Sequence, residues 1–255
     1  MSDAARIMAH MIPFFPDLDT STEVVQGLID GGVTYLEVQF PFSDPSADGP
    51  AIQAACSRAL KAGFSVQQGF EFLSQIQGRS DVPVFLMTYA SIPVSYGVER
   101  FAEKAAECGV TGIIAPDLPP DYDEGLYAAA EKAGISVVPV LAPSVTDYRI
   151  ALARERQPRH VYAALRRGIT GQETSIGEEN LAFLRRLDAI GAPIVAGFGV
   201  RRREQVRALE AHVDAVVVGS LLVEEIAAAS APEAARSAVR RTVAELAGLE
   251  GAGVS

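Results

Sequence analysis

The chain alternates between short apolar runs and longer segments with helical spacing of apolar residues, and eight such pairs can be counted along its 255 residues. This alternation is typical of βαβ units, in which parallel strands are joined by helices that cover the sheet. Several runs are apolar throughout, as strands buried on both faces are. The predicted strands are Met11–Phe15, Thr34–Phe40, Val84–Thr88, Gly112–Ala115, Ser136–Leu141, His160–Ala163, Ile194–Gly197 and Ala215–Gly219.

Eight strand–helix pairs in a chain of this length predict an α/β fold, a single (β/α)8 or TIM barrel. No Pro- or Gly-rich linker divides the sequence, so we expect one domain over residues 1–255, with a short N-terminal segment (1–10) and a flexible tail from about residue 249. An open doubly wound sheet is the alternative. That fold usually has a Gly-rich turn after its first strand, whereas Phe15-Pro16-Asp17-Leu18 stands here.

Composition excludes several classes of function. A net charge of −10 and a pI near 4.9 argue against a nucleic-acid or anionic-membrane surface. Cys56 and Cys108 lack metal-site spacing, and the N-terminus shows no secretory signal, so both are expected to be reduced thiols of a cytoplasmic protein. The three histidines show no ligand spacing and the apolar runs are far shorter than a membrane span, so neither a metal nor a membrane is expected.

Acidic residues cluster around the second predicted strand. Glu37 lies inside the apolar run, and Asp44 and Asp48 follow it in a Pro-rich loop. Desolvation raises the pKa of a buried carboxyl group toward the range where it can give and take a proton, so Glu37 is a candidate general acid–base. The alternative is that Glu37 points to the helical layer and pairs with a Lys or Arg. Asp in such a loop is more often a turn or cap residue, and spacing does not choose between Asp44 and Asp48.

Three strand ends in the last third of the chain carry glycine: Gly168-Ile169-Thr170-Gly171, Gly197-Phe198-Gly199 and Gly219-Ser220. Glycine lets backbone N–H groups approach a phosphate closely, and barrels often bind phosphate in the loops after strands seven and eight. One glycine pair is usually just a tight turn, but three at matching strand ends predict a phosphate site. No third glycine follows Gly199 at the spacing of the dinucleotide-binding fingerprint.

These motifs belong to a longer series of motifs along the chain. Through this series the chain resembles the tryptophan synthase α subunit family over nearly its whole length. The series comprises Leu36-Glu37, Pro41-Phe42-Ser43-Asp44-Pro45, Ala47-Asp48-Gly49-Pro50, Ile52-Gln53, Leu86-Met87-Thr88-Tyr89, Pro116-Asp117-Leu118-Pro119, Ala142-Pro143 and the three glycine motifs. The resemblance implies a lyase of tryptophan biosynthesis, which cleaves indole-3-glycerol phosphate into indole and glyceraldehyde 3-phosphate without metal or organic cofactor.

The same resemblance implies roles for individual residues. Glu37 would shuttle protons and Asp48 would accept a hydrogen bond from the indole N–H. The remaining residues would line the apolar pocket (Phe14, Tyr89, Ile114 and Tyr162) or hold the phosphate (Thr170, Gly171, Gly197, Phe198, Gly199, Gly219 and Ser220). A pyridoxal-phosphate β subunit would dock on the loops with Asp44, Pro45 and Pro119, giving an α2β2 complex.

Some positions depart from the family pattern. Ser91 replaces an Asn usual after the Tyr-containing strand end, which puts that contact with a β subunit in doubt, and Gln39 replaces a Gly beside the strand end of Glu37. Leu165 and Arg167 add bulk where small or hydroxylated residues are usual. By the same comparison, about four residues of the family's loop after the first strand are expected to be missing here, because Ile12-Pro13-Phe14-Phe15 passes almost directly to Pro16-Asp17-Leu18.

These departures leave three hypotheses open. The first is the lyase acting as the α component of tryptophan synthase. The second is a lyase or related phosphate-ester aldolase of secondary metabolism that acts without a partner, motivated by the altered mouth. The third is a binding partner of low activity that mainly activates a β subunit, motivated by the shortened first loop.

Overall fold

The structure is a computed structural model that describes residues 4–165 and 176–249. Within these ranges eight strands form one sheet, and all of them pair in parallel. The strands are β1 (Ile7–Met11), β2 (Tyr35–Gln39), β3 (Val84–Met87), β4 (Val110–Ile114), β5 in two parts (Ser136–Val138 and Val140–Leu141), β6 (Val161–Ala164), β7 (Ile194–Gly197) and β8 (Ala215–Val218).

The sheet closes on itself. Strand β1 pairs with both β2 and β8, and the two parts of β5 pair with β4 and β6. Pro139 separates these parts because it has no N–H to donate, but its carbonyl accepts a hydrogen bond from the Tyr162 N–H at 2.9 Å. The predicted TIM barrel is therefore confirmed, and the open sheet is excluded.

Helices follow the strands around the outside. They are α1 (Leu18–Asp30), α2 (Pro50–Lys61), α3 (Val66–Gln77), α4 (Ser91–Tyr96), α5 (Val98–Glu107), α6 (Leu126–Lys132), α7 (Asp147–Glu155), α8 (Glu178–Leu187), α9 (Arg203–Leu209), α10 (Ser220–Ala228) and α11 (Pro232–Ala247). Sequence patterning did not predict α4 and α10. None of the helices in the described ranges is long and apolar enough to cross a membrane.

The first strand was predicted four residues too late. It spans Ile7–Met11 instead of Met11–Phe15, so part of the expected N-terminal segment is barrel strand. Phe14 cannot continue a strand because its φ is 64°, and the Phe15 N–H donates to the Ile12 carbonyl in a turn. Residues 12–17 connect β1 to α1. The error arose because Ile12–Phe15 is as apolar as a strand, although it packs outside the barrel.

The core has two layers. One lies between the strands and the helices, and the other fills the barrel interior with residues such as Met8, Phe85 and Val195. At the N-terminal end of the interior the Tyr35 hydroxyl donates to Asp214 Oδ2 at 2.8 Å, and Arg6 Nη2 donates to that hydroxyl at 2.6 Å. This cluster closes one end of the barrel and leaves the C-terminal end for a site.

The described chain ends against the barrel. The Leu249 N–H donates to the Ala244 carbonyl at 2.8 Å and its side chain packs against the core; a flexible tail beyond it stays a prediction. Residues 250–255 lie outside the described ranges.

Candidate active site

A cavity lies at the C-terminal mouth of the barrel, where the strands lead into their loops. Its lining includes eight of the predicted site residues: Glu37, Asp48, Ile114, Tyr162, Phe198, Gly199, Gly219 and Ser220. These residues come from β2, β4, β6, β7 and β8 or from the segments that follow them. In a TIM barrel this face carries the reactive groups, because eight loops converge on it.

Glu37 points into the barrel. It alternates along β2 with Leu36 and Val38, which face the helical layer. Its side chain is 5% exposed, and its Oε2 lies 2.9 Å from His10 Nδ1 on the neighbouring strand. The alternative of an outward Glu37 paired with a Lys or Arg is thus wrong, and the carboxylate is available to a ligand in the cavity.

Asp48 reaches the same cavity from the loop after β2. Its Oδ2 accepts hydrogen bonds from Gln39 Nε2 at 2.8 Å and from the Tyr89 hydroxyl at 2.9 Å. Burial raises the pKa of the Asp48 carboxyl, and the hydrogen bonds from Gln39 and Tyr89 act in the opposite direction. Asp44, which the spacing could not distinguish from Asp48, is exposed on the same loop.

Two tyrosines surround the carboxylates. Tyr162 lines the cavity, whereas Tyr89 lies behind Asp48, stacked on Phe42 with ring centroids 5.4 Å apart. Burial raises the pKa of both phenols, and the nearby charge of Asp48 adds to the shift. Both hydroxyls therefore stay protonated at neutral pH, so Tyr89 donates to Asp48.

The glycine-bearing strand ends after β7 and β8 line the same cavity. Phe198 and Gly199 follow β7 with φ of 99° and 79°, and Gln205 holds this turn, since its Nε2 donates to the Gly199 carbonyl at 3.0 Å. Helix α10 begins at Ser220, directly after Gly219. The N–H groups of a first helical turn have no partner within the helix and attract anions.

Gly197 has a packing role instead of lining the cavity. A Cβ on Gly197 would lie 2.6 Å from Val217 Cβ and 2.9 Å from the Val217 carbonyl oxygen. Only a residue without a side chain allows β7 and β8 to approach this closely at the site.

The structure does not bring all predicted residues to the cavity. Phe14 lies in the turn after β1 and packs edge-on against Phe64, with ring centroids 5.8 Å apart; it does not line the cavity, because β1 ends before it. Thr170, Gly171 and Arg167 lie outside the described residues.

The predicted partner-contact residues lie in loops at the same end of the barrel. Asp44 is exposed, Pro45 is buried and Pro119 is half-buried. Ser91 is exposed at the start of α4, and Leu165 is buried, with its carbonyl accepting from Asn180 Nδ2 at 2.6 Å.

Sequence reasoning missed His10 and the contact between Gln39 and Asp48. His10 was judged only for metal spacing, although a lone polar residue within an apolar run is the same signal that identified Glu37. In the described part of the chain no group of three or more His, Cys, Asp or Glu side chains could hold a metal ion.

The fold and site together define a TIM-barrel protein with two buried carboxylates facing glycine-bearing strand ends. The chain belongs to the tryptophan synthase alpha chain family, whose family model matches residues 2–251. It is similar to the tryptophan synthase alpha chain of Helicobacter hepaticus, 39% identical over 228 residues that cover 87% of this chain and 85% of that protein. The corresponding chain of Leifsonia xyli is 37% identical over 245 residues, 93% of this chain and 94% of that protein.

Solved structures agree with this assignment. Tryptophan synthase of Mycobacterium tuberculosis has a chain that superimposes with a TM-score of 0.86 at 31% identity, covering 96% of this chain and 92% of that chain. The tryptophan synthase complex of Pyrococcus furiosus gives a TM-score of 0.86 at 31% identity, with coverage of 97% and 100%.

Proposed function

We propose that the protein cleaves indole-3-glycerol phosphate to indole and glyceraldehyde 3-phosphate by a retro-aldol reaction, as the α component of tryptophan synthase. One observation carries the proposal: Glu37 and Asp48 line the same cavity as the glycine-bearing strand ends at Gly199 and Gly219, in a chain of this family. A substrate with a nitrogen heterocycle at one end and a phosphate at the other matches this arrangement.

The two carboxylates divide the work. Breaking the carbon–carbon bond requires a proton at indole C3, removal of the glyceryl hydroxyl proton and stabilisation of positive charge on the indole ring. Glu37, which lines the cavity and is held by His10, serves as the proton shuttle. Asp48 accepts the indole N–H, because Gln39 and Tyr89 hold its Oδ2 and so fix the orientation of the carboxylate.

The phosphate is held mainly by main-chain groups. The first turn of α10 at Ser220 and the turn at Gly199 face the cavity, and Arg201, which also lines it, is held by Glu224 at 2.6 and 3.1 Å. In a chain with a net charge of −10, backbone N–H groups bind a dianion without a basic surface. Thr170 and Gly171 complete this site by resemblance to the family.

A β subunit is the proposed partner, docking on the loops with Asp44, Pro45 and Pro119. One of the similar solved structures is that of the tryptophan synthase α2β2 complex of Pyrococcus furiosus. Ser91 weakens one contact. The proposed location is the cytoplasm, where the buried thiols of Cys56 and Cys108 stay reduced.

The family assignment bears on the alternatives. The hypothesis of a poorly active binding partner rests on the shortened first loop alone, whereas the family model and the relatives support the α component itself. The hypothesis of a lyase that needs no partner rests on the altered mouth, where Gln39 contacts Asp48.

Purified protein incubated with indole-3-glycerol phosphate should release indole, and more of it when a β subunit is present. Glu37→Gln and Asp48→Asn should each lower kcat by at least about 10²-fold. Matched controls are Glu103→Gln and Asp19→Asn, which change exposed carboxylates on helices and should leave the rate unchanged. Full turnover without a β subunit favours the lyase that needs no partner, and no indole under either condition rejects the proposal.

A further inference from the structure

His10 lies directly opposite Glu37 in the pairing of β1 with β2. Both side chains are about 95% buried, with exposures of 4% and 5%, and His10 Nδ1 is 2.9 Å from Glu37 Oε2. Side chains of the barrel interior are otherwise largely apolar, as Met8 is two residues earlier on the same strand. Burying an imidazole at this position therefore costs free energy, and hydrophobic packing alone does not explain it.

The second ring nitrogen is unused. His10 Nε2 is fully buried and has no hydrogen-bond partner among the described residues. A buried polar group without a partner costs free energy, and native proteins keep few of them, mostly at sites of function. When Nδ1 carries the proton and donates to the Glu37 carboxylate, Nε2 has a lone pair and can only accept.

The position of the ring indicates what Nε2 accepts from. His10 lines the cavity, and a Cβ built on Gly219 would lie 3.6 Å from His10 Cβ and 3.8 Å from its Cδ2. The ring thus lies between Glu37, where the bond breaks in the proposed reaction, and the Gly219-Ser220 turn, where the phosphate binds. The part of the substrate that spans these two places carries the glyceryl hydroxyl groups.

We infer that His10 is a positioning residue for Glu37 and a binding residue for the substrate: Nδ1 holds the carboxylate, and Nε2 accepts a hydrogen bond from a glyceryl hydroxyl. This inference rests on the proposed function for the identity of the substrate. The pairing with Glu37 does not depend on it, because it is a property of the free protein. His10 would then fix both partners of the proton transfer relative to each other.

Two substitutions separate the two contacts. The amide nitrogen of Asn lies near the place of Nδ1, so His10→Asn keeps the donor to Glu37 and loses the acceptor. The amide group of Gln reaches the place of Nε2, so His10→Gln keeps the substrate contact and loses the hold on Glu37. His10→Phe removes both and keeps the ring volume. The same three changes at His212, which is exposed after α9, serve as matched controls.

In steady-state kinetics with indole-3-glycerol phosphate, the loss of the substrate contact should appear in KM and the loss of the contact with Glu37 in kcat. His10→Asn should raise KM about five- to tenfold, as expected for one lost hydrogen bond, and keep kcat within about threefold. His10→Gln should lower kcat about 10- to 100-fold, because a misplaced acid–base loses rate, with KM within about threefold. His10→Phe should show both effects. If His10→Phe has parental constants, or if all three variants change alike, the inference is overturned.

A spectroscopic test separates failure of this inference from failure of the proposed function. The 15N signals of the His10 ring in the ligand-free protein should shift in Glu37→Gln, while those of His160 and His212 stay in place. Titration of the parent with glycerol 3-phosphate, which carries the hydroxyls and phosphate without indole, should move the Nε2 signal. Unchanged His10 signals in both experiments overturn the inference even if indole is released, and shifts without any turnover reject only the lyase.

Discussion

At the scale of single residues, the two carboxylates of the site differ in what surrounds them. Glu37 faces one imidazole, whereas Asp48 receives two uncharged donors on the same oxygen. Concentrating both donors on Oδ2 leaves Oδ1 of Asp48 for a ligand. Neighbouring carboxyl groups thus acquire different roles through their environment, as a proton shuttle and an ionised acceptor require.

The hydrogen bond from Tyr89 should tune the ionisation of Asp48. Burial raises the pKa of Asp48, and this bond lowers it. Tyr89→Phe removes the lowering contribution, so the pKa of Asp48 rises further and the carboxylate is protonated at a higher pH. Because Asp48 works ionised, the acidic limb of the profile of kcat/KM against pH should move to higher pH.

The control for this change is Tyr148→Phe, since Tyr148 is 66% exposed on α7. Its profile should match that of the parent. An acidic limb that stays in place in Tyr89→Phe, or moves to lower pH, contradicts the role of the hydroxyl.

At the scale of elements, some features could be predicted from local pattern and others could not. The run Thr34–Phe40 gave β2 almost correctly, because alternation and flanking turn residues agree there. The boundary of β1 was predicted wrongly because Ile12–Phe15 is equally apolar, and the turn that follows Met11, with its positive φ at Phe14, is a property of the folded loop. Helix α10 was missed because Leu221–Val223 continues the apolar run of β8, which hides a helix start at Ser220.

The absence of a side chain at Gly27 allows α1 and α11 to approach closely. A Cβ at Gly27 would lie 2.5 Å from the Arg236 carbonyl oxygen and 2.9 Å from its Cα. Ala gains about 0.5–1 kcal/mol over Gly inside a helix, but overpacking of this kind costs about 1–3 kcal/mol, and here the obstacle is backbone. Gly27→Ala should therefore lower the free energy of unfolding by about 1–2 kcal/mol, measured by urea denaturation.

Gly78→Ala is the matched control, because Gly78 ends α3 with a right-handed helical backbone and a Cβ there would make only ordinary contacts at 3.7 Å. It should leave the free energy of unfolding within about 0.5 kcal/mol of the parent. If Gly27→Ala is as stable as the control, the helices can separate at little cost and the close approach is not required.

At the scale of the whole molecule, the two ends of the barrel have different roles: the N-terminal end stabilises the fold, and the C-terminal end carries the chemistry. The sequence could predict the barrel because eight repeats of one pattern admit few closed solutions. It could also single out Glu37 and the glycine turns after β7 and β8, because each is an exception to its local pattern, whereas only the resemblance to the family selected Asp48 over Asp44. It could not predict two side-chain contacts. The contact of His10 with Glu37 depends on the register of β1 against β2, and that of Gln39 with Asp48 depends on a loop that brings residues 9 positions apart together.

The N-terminal end of the interior provides the test of this separation. Tyr35 joins Asp214 and Arg6 there by hydrogen bonds of 2.8 and 2.6 Å, at the opposite end of β2 from the cavity. Tyr35→Phe leaves Asp214 and Arg6 their direct contact and removes only the bridging hydroxyl. It should lower the free energy of unfolding by about 1 kcal/mol and leave kcat/KM within about twofold. Tyr89→Phe, the same change at the other end, should alter the pH profile of kcat/KM. If Tyr35→Phe loses as much activity as Tyr89→Phe at any pH, the two ends of the barrel are coupled through its interior. Stability and chemistry would then not be separated.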